Sequence, residues 1–129
     1  MASTTQFNAT NAGSLGASQE IAWNSALRHA PAADTAAVVT IDADADRPNI
    51  ITQIFYSYKG TPTGGTLKVE DVSGTTVWGP HHIVAGGPGQ VDFFPPLANA
   101  AKNTAMIVTL AAGGGAVEGV LTVNAYKRK

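Results

Sequence analysis

The chain contains no cysteine. This excludes disulfides, thiolate metal sites and a cysteine nucleophile, and it leaves the redox compartment open. Charge is also scarce. Asp, Glu, Lys and Arg together make up 13% of the 129 residues, about half the share in ordinary soluble domains. A charge-rich disordered chain and a coiled coil are thereby excluded. Aromatic residues are 7%, so few large rings are available for a core or a stacking platform. No apolar run approaches the length of a membrane-spanning helix. The opening MASTTQFNATNAGSLG lacks a basic start and an apolar stretch, so it does not read as a signal peptide. No segment has the length and 3.6-residue period of a helix.

What is present is Ala, Thr, Gly and Val, cut by turn residues. There are 22 Ala, 14 Thr, 14 Gly and 7 Pro, so bulky apolar content is lower than the 44% hydrophobic fraction suggests. The formal net charge is −1, unevenly spread. Residues 1–126 hold nine acids and five bases, and Lys127, Arg128 and Lys129 then follow as a basic end. A nucleic-acid reader would show a basic face. This mildly acidic body does not, and the three terminal bases read as a solvated tail or as a contact with an acidic neighbour.

Residues 1–19 are mostly Ser, Thr, Asn, Ala, Gly and Gln, with Phe7 and Leu15 isolated among them. They read as an extended N-terminal arm, with Phe7 and Leu15 as anchors in a neighbour's grooves. Residues 20–129 read as one β domain. Strands are predicted over 20–29, 35–42, 50–58, 66–72, 75–78 (with 81–84 extending it), 90–94, 104–111 and 116–126. In 50–58, strict alternation puts Ile50, Ile54, Tyr56 and Tyr58 on one side and Ile51 and Phe55 on the other. TLKVEDVSGTTVW reads as a hairpin. Seven or eight short strands at such spacing, with no crossover helices, predict an antiparallel β-sandwich. Paired cysteines around a Trp are missing, which favours a jelly-roll-like sandwich over an immunoglobulin-like one.

No motif fixes a chemistry. Asp42, Asp44 and Asp46 alternate, so an extended chain points all three to one side, and a hard cation is conceivable there. The EF-hand pattern fails, with Arg47 where Gly is needed, and carboxylates on a strand edge also deter pairing by another sheet. His81 and His82 are adjacent, so on a strand they face opposite ways and do not chelate one ion. No serine sits in a G-x-S-x-G context, and the glycine runs at 86–89 and 113–115 precede no helix. No cofactor, metal or catalytic set is expected. Tyr56, Tyr58 and Trp78 are the rings available for a sugar-stacking platform; filling the core or a subunit seam is the alternative use.

The segments TLKVEDVSGTTVW, GPGQVDFFPPL and MIVTLAAGGGAVEGVLTVNAY, between Thr66 and Tyr126, resemble small virion proteins of tailed bacteriophages. The resemblance covers about half the chain and rests on turn chemistry between strands. It implies a virion component, most plausibly a capsid decoration or cement protein, or a small head or tail accessory protein. Its partners would be other virion and capsid proteins and further copies of itself, with no membrane and no direct nucleic-acid contact. A carbohydrate-binding sandwich recognising host-surface glycans is the rival, and a small hydrolase with His81 or His82 beside a carboxylate is a third reading.

Overall fold

A computed structural model describes residues 21–72, 74–99 and 101–128, with side chains of the first strand described from Leu27 onward. Phe7, Leu15, the arm they belong to and Lys129 lie outside the described residues. Eight strands follow in chain order: β1 (Ile21–His29), β2 (Ala37–Ile41), β3 (Asn49–Tyr58), β4 (Gly65–Asp71), β5 (Thr76–Ile83), β6 (Gly87–Ala98), β7 (Met106–Leu110) and β8 (Gly119–Arg128). They form two four-stranded sheets, ordered β1-β8-β3-β6 and β2-β7-β4-β5, and every pairing is antiparallel. Apart from the β4–β5 hairpin, each strand is followed by one in the other sheet. This is the jelly-roll form of the β-sandwich, as the strand spacing and the missing cysteines led us to expect.

The core lies where the inner faces meet. β4, β7 and β8 alternate as a half-buried strand should, and Leu67, Val69, Met106, Val108, Leu110, Leu121 and Val123 are sealed. Ile41, Ile51 and Ile54 complete the layer. In β3, however, Ile51 is buried with Ile54 and Tyr58, whereas Ile50 is only half-buried. Strict alternation puts Ile51 on the opposite side. The reason is a register shift between Ile51 and Gln53. Thr52 is the extra residue of a bulge, which returns the chain to the same face one residue late.

β6 is longer than the predicted 90–94. It begins at Gly87, inside the predicted AGGPG loop, and runs through Pro95 and Pro96 to Ala98. Pairing with β3 alone makes it an edge strand, where proline's missing N–H costs no ladder bond. Phe93–Pro96 stand opposite the single residue Thr52, between the pairs Gln53–Asp92 and Ile51–Leu97. As neighbours on a strand, the two phenylalanines face opposite ways. Phe93 packs against the core, and Phe94 is 99% exposed. β5 likewise continues through Gly79-Pro80 to Ile83 on the edge of the second sheet.

Candidate functional site

Three regions carry the polar and aromatic side chains that a function would use. The first is the outer face of the β1-β8-β3-β6 sheet. Register and burial place Ile50 opposite Tyr126, Gln53 between Asn124 and Asp92, Phe55 between Thr122 and Gln90, and Ser57 between Val120 and Pro88. These residues alternate with the buried ones and so point outward. Asp92 is the single charged side chain that β8, β3 and β6 place in those rows; on β1, Arg28 stands opposite Thr122. Asp92 Oδ1 accepts hydrogen bonds from Gln53 Nε2 (3.0 Å) and Gln90 Nε2 (2.8 Å), and Asn124 Nδ2 donates to Gln53 Oε1 at 3.1 Å. Phe55, Ser57, Pro88, Val120 and Thr122 surround a shallow depression of about 190 Å³. Arg28 and Arg128, both exposed, stand at the margin of this face. The other sheet differs, since its outer face carries an ion pair between Lys68 Nζ and Glu70 Oε2 at 3.2 Å.

The second region is the open edge between β5 and β6. Leu67 pairs with His81 and Val69 with Trp78, while Gly79-Pro80 sits opposite Lys68. Three residues apart on a regular strand, Trp78 and His81 would face opposite ways. The extra residue puts both on the Leu67–Val69 side of the strand, with Trp78 half-buried and His81 still exposed. Trp78 stacks on the His81 ring (centroids 6.1 Å apart) and meets the edge of Phe93 (5.3 Å). Tyr56 Oη lies 3.4 Å from His81 Nε2. The Tyr56 ring covers Gly89, where a Cβ would come within 2.2 Å of its Cζ. Glycine is thus required at 89 for a close approach.

The structure therefore brings Tyr56 and Trp78 together through His81, but it separates Tyr58 from them. Tyr58 is 3% exposed, donates to Ala111 O at 2.6 Å, and packs against Gly113. Burial pushes its hydroxyl above the ordinary 10.0, and neighbouring Tyr56 adds to the shift. A platform of Tyr56, Tyr58 and Trp78 presented together is not formed. His82 pairs with Thr66 on the outward side, so the two adjacent histidines do diverge. Among the described residues, no hydrogen bond or ion pair joins either of them to a carboxylate.

The third region is the end of the sandwich where the β2–β3 turn meets the last strand. The three alternating aspartates do not act as a set. Asp44 Oδ1 accepts from the backbone N–H groups of Asp46 (2.8 Å) and Arg47 (3.2 Å), and Oδ2 pairs with Arg47 Nε and Nη2, each at 3.2 Å. The Asp46 N–H above all, with Arg47 assisting against desolvation, holds its carboxyl below the usual 3.8. Asp44 is therefore the cap of a turn. Among the described residues, no cluster of three His, Cys, Asp or Glu is arranged to hold a metal.

Lys127 is not a tail residue. It lies in β8 directly opposite Asn49, and its Nζ donates to Asp42 O and, at 2.6 Å, to Asn49 Oδ1. Burial lowers its ammonium below the ordinary 10.5, against the opposing pull of Asp44 and Asp42. Asn49 is fully buried. Its Nδ2 donates to Thr104 O (3.0 Å), Asp42 O (3.2 Å) and Ile41 O (3.3 Å). The sequence reading placed Asn49 in a turn with Asp46, Arg47 and Pro48 and so passed over it. An asparagine at the mouth of the strongest strand, just after a proline, was the only signal.

No model of a known protein family matches the chain, and neither does any curated protein. Among solved structures, the chain is similar to the carbohydrate-binding module CBM36 in complex with calcium and xylotriose. That match has 12% identity and a TM-score of 0.38, covering 79% of this chain and 78% of that one. The arabinose-bound MgGH51 α-L-arabinofuranosidase matches with 13% identity and a TM-score of 0.44, over 90% of this chain but only 24% of that one. A turnip yellow mosaic virus chain matches with 11% identity and a TM-score of 0.34, over 100% of this chain and 88% of that one. Identities and scores this low leave the function to the chain's own residues.

Proposed function

We propose that this chain is a virion structural protein of the capsid decoration or cement kind, from a tailed bacteriophage. It binds outside a shell as a homo-oligomer and bridges neighbouring capsid subunits. The observation that carries this reading is the outer face of the β1-β8-β3-β6 sheet. Its rows of Ile, Phe, Val, Thr, Ser, Gln and Asn, with one amide-bound carboxylate, suit permanent cover by protein. Between the flanking Arg28 and Arg128, such a face has one carboxylate to desolvate, and that carboxylate keeps two amide hydrogen bonds. A closed jelly roll supplies a stiff block behind it, and each interface made adds to the cost of pulling shell subunits apart. In this reading residues 1–19 lie across the adjoining subunit with Phe7 and Leu15 as anchors, Arg128 and Lys129 contact the neighbour at the margin, and no reaction is catalysed.

The test is Phe55→Asp, measured by mass photometry of the purified chain and by occupancy on purified particles. Phe55 is half-buried on the outer face, so the fold should survive while self-association and attachment fall at least tenfold. Because the face is nearly uncharged, attachment of the unaltered protein should also persist at high salt. Unchanged occupancy of the variant refutes the reading. Glycan binding has less support, because Tyr58 is in the core and Trp78 packs on His81 and Phe93. A saccharide titration signal abolished by Trp78→Ala would reinstate it.

A further inference from the structure

The side chains of Lys127 and Asn49 meet in a part-buried contact between β8 and β3. Lys127 and Asn49 are register partners on adjacent strands and point to the same inner side. The amine nitrogen lies 2.6 Å from the amide oxygen. With a C=O bond of about 1.2 Å, it is at most about 3.8 Å from the amide carbon, just outside the near-attack range of roughly 3–3.5 Å. The amide nitrogen sits among three carbonyl oxygens, those of Ile41, Asp42 and Thr104. An amide has only two hydrogens to give them, whereas a protonated leaving amine has three. The cage therefore fits the departing group better than the resting one.

We propose that Lys127 and Asn49 are the two halves of an intramolecular isopeptide cross-link joining β8 to β3. The lone pair of Lys127 Nζ attacks Asn49 Cγ. The Cγ–Nδ2 bond breaks, and a secondary amide forms between Cγ and Nζ. Nζ gives up its protons to the departing nitrogen and to a nearby carboxylate. Starting from the ammonium, the products are one secondary amide and one ammonium ion, with no oxidant or cofactor required. Burial favours the neutral amine that the attack needs. Asp42 and Asp44 both act on Lys127 through their charge; Asp44 is held by Arg47, so Asp42 is the transient proton acceptor. The link would join a pair 78 positions apart in sequence, tying the last strand to the middle of its sheet. It does not depend on the virion reading.

The experiment is the intact mass of the full chain under denaturing conditions, fresh and after prolonged incubation at neutral and mildly alkaline pH. The expected mass is that of the sequence less one ammonia. Protease mapping should then give a branched peptide containing Asn49 and Lys127, and Lys127→Arg should restore the full mass. An unreduced mass after incubation overturns the proposal, and so does an ammonia loss mapped to any other residue. The decision rests on the unaltered protein, so it stands even where the variant does not fold.

Discussion

Replacing Asn49 by alanine, with the unlinked chain as reference, tests whether the buried polar node at the end of the sandwich holds the fold together. The side chain is fully buried, and its amide donates to Ile41 O, Asp42 O and Thr104 O while its oxygen accepts from Lys127. Truncation removes all of these. Two of the carbonyls keep another donor, because Lys127 Nζ still reaches Asp42 O and Asn99 Nδ2 still reaches Thr104 O at 3.1 Å. The loss is therefore partial orphaning plus a lysine without its second acceptor. At about 1 kcal/mol for a net hydrogen bond and about 1–3 for a buried group left unpaired, we expect about 2–4 kcal/mol. For a domain of this size that lowers Tm by about 8–16 °C. Asn49→Asp sharpens the test. It keeps an oxygen for Lys127 but turns a second oxygen, with no hydrogen, towards three carbonyl oxygens. At neutral pH it should be at least as destabilised as alanine. Urea unfolding of both variants decides the matter. A cost below about 1 kcal/mol for alanine, or wild-type stability for aspartate, refutes the view that amide donation is the dominant contribution.

Other outcomes follow from the same geometry. Tyr58→Phe deletes the donor to Ala111 O without changing the packing, so stability should fall by about 1 kcal/mol in urea melts. It should also remove a loss of stability above pH 10, because the raised tyrosine keeps its proton in the folded state after the unfolded chain has lost it. Gly89→Ala puts a methyl group into the Tyr56 ring and should cost about 1–3 kcal/mol, much of it recovered in the double variant with Tyr56→Ala. Asp44 has a lowered pKa, so its contribution is present above 3.8 and lost as pH falls through the folded value. Asp44→Asn should accordingly flatten the acid limb of a stability–pH curve, and an unchanged limb counts against the turn-cap role.

Much of the architecture could be read from residue order because it depends on local chemistry. Turn residues at 46–49, 59–65 and 73–74 separate runs rich in β-branched and aromatic residues, and those runs became β2, β3, β4 and β5. Met106, Val108 and Leu110 were placed inward by a period of two and are sealed. The low overall charge is also visible in the β8-β3-β6 rows, where Asp92 is the one charged side chain.

Two placements that strict alternation misses come from residues inserted into a ladder. Thr52 moves Ile51 onto the same face as Ile54, Tyr56 and Tyr58. Gly79-Pro80 puts Trp78 and His81 on one side. A bulge is a decision between two strands, since the extra residue has meaning only against the partner that lacks it. No reading of one segment can supply it. Tyr56 and Tyr58 do share a face, as their parity in β3 says, but that face is the inner one, so Tyr58 is sealed in the core while Trp78 packs on His81 and Phe93. The Lys127–Asn49 contact is hidden because it, too, depends on a partner strand. Its two halves are 78 positions apart, and only the β3–β8 register makes a lysine in a basic tail the neighbour of an asparagine in a turn.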